Sequence, residues 1–115
     1  MNQNRLEIVK SLIELSRPLD AVAVTICEFS WDYEGEPVEL RREHLVSVLS
    51  RYLSGKLSAS DVEKWANLLE GRDDICFEKG SEEWINEVVY ELANPSLTMP
   101  LDIDRARILI VGASQ

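Results

Sequence analysis

Leu19–Phe29 reads LDAVAVTICEF, and its assignment decides whether the chain is all-helical or mixed. Leu19, Val22, Ala23, Ile26 and Cys27 recur at the spacing of one helix face. Val22, Val24 and Ile26 alternate as a half-buried strand would, and the density of β-branched residues suits a strand equally well. Two features favour the helix. Pro18 and Asp20 suit a helix start, because proline's fixed φ fits the first turn and aspartate's charge meets the helix dipole. No clear partner strand occurs elsewhere in the sequence.

Outward from this segment the same periodicity recurs. Upstream, Asn4 to Ser16 predicts a helix with Leu6, Val9, Leu12 and Ile13 on one face, closed before Pro18. Downstream, residues 30–37 (SWDYEGEP) form a polar connection. Pro37 stands where a first helical position would be, so a third helix is expected from there to Leu53, burying Leu45, Val48, Leu49 and Tyr52, with Gly55 as its left-handed stop. The fourth has the best start signal: Ser58 as N-cap, Asp61 in the glutamate position of a capping box, and Leu57 with Val62 as a staple. Its inward face is Val62, Trp65, Ala66 and Leu69, and Gly71 ends it. Residues 72–80 read as a loop in which ICF could extend, with Ile75 and Phe77 tethering it to the body. A fifth helix opens at Ser81, buries Trp84 or Ile85 with Val88, Val89 and Leu92, and stops at Asn94-Pro95. The last begins near Asp102, turns Ile103, Ala106, Leu109 and Ile110 inward, and ends at Gly112. The expected architecture is a single all-α domain over residues 1–115, five or six short helices in a compact bundle.

Composition narrows the function. The chain has 115 residues, 45% hydrophobic and 29% charged, with a net charge of −9, which is a globular composition able to bury a core. It has no apolar run near bilayer length, and its N-terminus shows no signal-peptide pattern, so the expected location is the cytoplasm, with no membrane contact. Cys27 and Cys76 lack metal or redox spacing and read as buried small hydrophobes rather than a disulfide or a nucleophile. The acidity is uneven: residues 28–43 hold six acids against two bases, and residues 61–91 hold ten against three. That field repels phosphates and attracts basic proteins, so direct nucleic-acid binding is not expected.

Candidate chemistry is sparse. His44 is the one histidine, without a partner at ligand spacing, and reads as a boundary residue. Asp73, Asp74 and Glu78 could hold a divalent cation, but DDICFEKGSEE lacks the alternating ligands and central glycine of a calcium loop. No nucleophile elbow, phosphate loop or dinucleotide fingerprint occurs. The expectation is therefore no catalysis, no cofactor and no metal. What remains is acid beside aromatics. Trp31 and Tyr33, in a polar connection, read as exposed anchors, whereas Trp65 reads as core and Trp84 could be either.

The run RYLSGKLSASDVEKWANLLEGRDDICFE (51–78), followed by YELANPSL (90–97), resembles small bacterial immunity proteins of the contact-dependent growth-inhibition and colicin types. The resemblance spans roughly residues 40–97, and its motifs are packing and capping signals that carry over no family binding residue. It implies a cytosolic helical protein that binds and blocks a cognate toxin. Nuclease toxins, whether they cut tRNA or DNA, carry basic surfaces to hold phosphates, and an inhibitor gains by offering carboxylates in their place. On that reading the contacts come from Trp31, Tyr33, Glu34, Glu36, Asp73, Asp74, Glu78, Glu82 and Glu83, with this protein a monomer in a one-to-one complex. The alternative is a general acidic helical adaptor that meets another basic protein with the same face.

Overall fold

The computed structural model describes residues 2–29 and 35–113. Among them run six helices and two short strands: α1 (Asn2–Glu14), α2 (Leu19–Ile26), β1 (Val38–Leu40), α3 (Arg42–Leu53), α4 (Ala59–Leu69), β2 (Ile75–Phe77), α5 (Glu82–Ala93) and α6 (Ile103–Ala113). The chain is predominantly α-helical and compact, and the opening segment is helical from Leu19 to Ile26. Its apolar side wins because Val22 and Ile26 both reach the core, while Val24 points outward and is 71% exposed. Cys27 ends that helix exposed rather than buried, a correction to the sequence reading.

Helices α4 and α5 pack on each other, α6 lies on α3, and α2 lies on α1. The core runs through all of them, and Trp65 of α4 lies fully inside it. Its indole Nε1–H donates to the Leu12 carbonyl at 2.6 Å and so joins α4 to the last turn of α1. That turn closes unusually. Leu15 adopts a left-handed φ of 49°. The Ser16 N–H reaches Ser11 O and the Leu15 N–H reaches Leu12 O, the two bonds of a Schellman motif. A leucine there costs about 1–2 kcal/mol of backbone strain. Burial of its side chain offsets this, together with Arg51, which donates to the Leu15 and Glu14 carbonyls at 2.6 and 3.1 Å. At the end of α3 the same motif uses Gly55, with φ 84°, as the glycine signal predicts.

The strand pair corrects the expectation for residues 37–41. Pro37 does not start a helix. Val38–Leu40 pairs in parallel with Ile75–Phe77, Val38 opposite Ile75 and Leu40 opposite Phe77. Bonds from Val38 N–H to Asp74 O (2.8 Å) and from Glu78 N–H to Leu40 O (2.9 Å) frame the ladder. Local proline chemistry could not disclose a partner some 37 residues away, and three-residue strands have no periodicity to read. Helix α3 begins only at Arg42, whose N–H is taken by Glu78 Oε1 at 3.1 Å. Two further corrections fall on α6. Ile103 is 53% exposed, not core. Gly112 lies inside the helix, where a Cβ would stand 3.3 Å from Trp84 Nε1, so this glycine serves close packing rather than termination.

Trp65→Phe is expected to lower the unfolding free energy by about 1–3 kcal/mol, through loss of the buried hydrogen bond and some packing. Urea denaturation measures it; an unchanged midpoint would mean the indole does not hold α4 to α1.

Candidate partner-binding surface

The carboxylates divide into those used inside the fold and those left outside it. Asp74 belongs to the first group, which corrects its assignment to the surface pool. It is fully buried. Arg72 Nε and Nη2 grip Oδ1 and Oδ2 at 2.9 and 3.0 Å, and Arg5 Nε from α1 reaches Oδ2 at 3.0 Å. A carboxylate withdrawn from water needs such charged partners. Arg5 also lies 5.7 Å from the ring centroid of Phe29. Glu78 is half-buried and caps the start of α3 through Arg42 N–H, so it too is engaged in the fold. Asp73 is exposed, and the structure therefore does not bring Asp73, Asp74 and Glu78 to one ligand site. Among the described residues no three His, Cys, Asp or Glu side chains form a group able to hold a metal ion.

Further acids are consumed in pairs. Glu91 of α5 takes a two-pronged grip from Arg105 of α6 at 2.6 and 2.7 Å. Arg42 is a second junction. It donates to Ser81 Oγ at 2.7 Å and to the Ala113 carbonyl at 2.9 Å, and its guanidinium lies 5.0 Å from the Trp84 ring centroid. This settles Trp84 as a packed, half-buried residue beneath a cation.

Glu82 and Glu83 remain outside, at the exposed start of α5. Glu82 also holds the Gly80 N–H at 2.9 Å, which orders the approach to the helix. The same outer face carries Glu87 and Tyr90, both exposed, Tyr90 to 46%. Residues 83, 87 and 90 follow the i, i+4, i+7 spacing of one stripe. Glu87 and Tyr90 were missed in the sequence reading, although that spacing opposite Ile85, Val88, Val89 and Leu92 was available to find them. Glu36 is exposed as well. Trp31, Tyr33 and Glu34 lie outside the described residues.

The single histidine has a structural task. His44 Nδ1 accepts the Arg41 N–H at 2.9 Å, while its own backbone N–H donates to the Arg41 carbonyl at 3.0 Å, so the residue closes the turn that opens α3. Burial pushes its pKa below the ordinary value, against the opposing pull of Glu43 and Glu14. Cys76 is a free thiol in β2, and its pKa is raised first by burial and then by Glu39, which keeps it protonated and a poor nucleophile. No helix among the described residues is long and apolar enough to cross a membrane. The chain matches no family model, no curated protein and no solved structure.

Asp74→Asn removes one charge and strands two arginines, so it should cost about 3–5 kcal/mol of stability. A change in urea midpoint too small to resolve would show that the arginines find other partners. His44 contributes differently. Its folded pKa is lowered, so its stabilisation is complete above the unfolded value of 6.5 and is lost as pH falls from there through the folded value. Gln at this position can accept the same N–H without titrating. His44→Gln should therefore show a shallower drop in melting temperature from pH 7 to pH 5 than the wild type; parallel curves would exclude a role for imidazole protonation.

Proposed function

We propose that this protein is a non-catalytic immunity protein. It binds a cognate nuclease-type bacterial toxin, one that cuts tRNA or DNA, and neutralises it by docking an acidic surface on the toxin's phosphate-binding face. The observation that carries the reading is the outer face of α5, where Glu83 and Glu87 share an exposed stripe with Tyr90 and Glu82 lies exposed at the helix start. Carboxylates placed there can stand in for phosphates, and an aromatic among them supplies the apolar contact that charge alone does not. The resemblance of residues 40–97 to immunity proteins agrees with it. Asp73 and Glu36 belong to the same pool of exposed acids; Asp74 and Glu78 do not, because the fold uses them.

The reading makes the carboxylates responsible for encounter and the aromatic for residence. The test is calorimetry and stopped-flow association with the product of the adjacent upstream gene, at low and physiological salt. Wild-type binding is expected in the nanomolar range and to weaken with salt. The triple variant Glu82→Lys/Glu83→Lys/Glu87→Lys should slow association by about tenfold or more, and Tyr90→Ala should chiefly speed dissociation. Unchanged rates in both variants would remove α5 from the interface. Binding to a basic protein that is not a toxin would favour the adaptor reading.

A further inference from the structure

We propose that a groove on this acidic molecule is a binding site for a small phosphomonoester. The groove lies between the α1–α2 connection, the last turn of α3 and the α3–α4 connection, and has a volume of about 470 Å³. That falls within the range of small-ligand sites, about 300–1,000 Å³.

Its charge is opposite to that of the molecule as a whole. Arg17, Arg51 and Lys56 line it and no carboxylate does, on a chain of net charge −9. Two segments distant in sequence, the α1–α2 connection and the end of α3 with the residues that follow it, must converge to place these cations together. Arg17 and Lys56 are exposed and form no ion pair among the described residues. Arg51 is held in place by its bonds to the Leu15 and Glu14 carbonyls, so its charge is fixed at the groove while its position is set by the fold. At the groove edge, Pro18 and Leu19 form the start of α2, and Pro18 supplies no side-chain cap. The first-turn N–H groups there have no side-chain acceptor and add partial positive charge. Asp20 lies in that first turn but does not line the groove.

The geometry selects the ligand class. Three cations with no internal counter-charge favour a dianion over a monoanion, and the guanidinium fork suits a phosphate's oxygens. Leu19 and Leu57, half-buried in the groove wall, offer a short apolar surface for the ester group. The overall negative field opposes anion approach, but at physiological salt it is screened beyond about 8 Å, whereas the exposed Arg17 and Lys56 line the groove itself and Arg51 adds its charge from the wall.

The test uses the full chain, labelled with ¹⁵N, and phenyl phosphate as probe, titrated at constant ionic strength and followed by amide shifts. Saturable shifts confined to the α1–α2 connection, the end of α3 and the α3–α4 connection are expected. Inorganic phosphate, lacking the apolar group, and benzoate, lacking the second charge, should each bind several-fold more weakly. Arg17→Glu/Lys56→Glu should weaken phenyl phosphate about tenfold or more with the melting temperature unchanged, since both side chains are exposed and unpaired. Lys56→Gln alone provides a milder second variant. Shifts that do not saturate, that are equal for all three anions, or that persist undiminished in both variants would overturn the proposal.

Discussion

The buried carboxylate of Asp74 is the constraint on which the rest of the arrangement depends. Its side chain holds Arg72 two residues away and Arg5 at the far end of the sequence, while its backbone carbonyl receives the Val38 N–H that begins the β1–β2 pairing. One residue thus ties the first helix, the turn after α4 and the first strand. Withdrawing these charges from water is costly, and an apolar trio of similar volume could match their net stability. What the ionic cluster adds is directionality: a carboxylate flanked by two guanidinium groups tolerates few alternative positions. With the turn fixed, β2 meets β1 in register, Glu78 reaches the start of α3, and α5 begins where Arg42 can bridge it to α6.

Arginine recurs at each of these junctions for a common reason. A helix end leaves carbonyls without partners, and a planar group with five donors on a long stem can satisfy them from a neighbouring element. Arg51 does this for α1, and Arg42 does it for α6. Arg105 instead clamps Glu91, joining α6 to α5. The consequence reaches the surface. Five of the twelve basic residues, Arg5, Arg42, Arg51, Arg72 and Arg105, are engaged in these internal contacts. Two carboxylates, Asp74 and Glu91, are paired against them, so the remaining exterior is more acidic than composition alone implies, and the groove lined by Arg17 and Lys56 contrasts with it.

Two surfaces of opposite sign follow from this division. The stripe of α5 combines carboxylates with an aromatic, the combination suited to a basic protein partner. The groove beside α2 combines cations with leucines, the combination suited to a small anion with an apolar group. They are built from different elements, so either can act without the other.

Most of the helical architecture was legible in the sequence because it is local. Ser58 and Asp61 form the capping box they announce, Gly55 and Gly71 take left-handed conformations, and the stripe Val62, Trp65, Ala66 and Leu69 is buried as its period requires. Such signals depend on residues three or four apart, whose relation any helix enforces. What escaped depends on residues brought together by folding. Asp73 and Asp74 are neighbours of identical chemistry, yet one is exposed and the other fully buried, gripped by Arg72 and by Arg5 from α1. Pro37 looked like a helix start until Ile75–Phe77 supplied a strand for Val38–Leu40, and Gly112 looked like a stop until Trp84 packed against it. Where most of the helices form and which faces they bury can be read along the chain, because those are matters of local spacing. Which charges are held inside and which stay in water is settled only by folding, because the energy of a charge is set by what surrounds it in space.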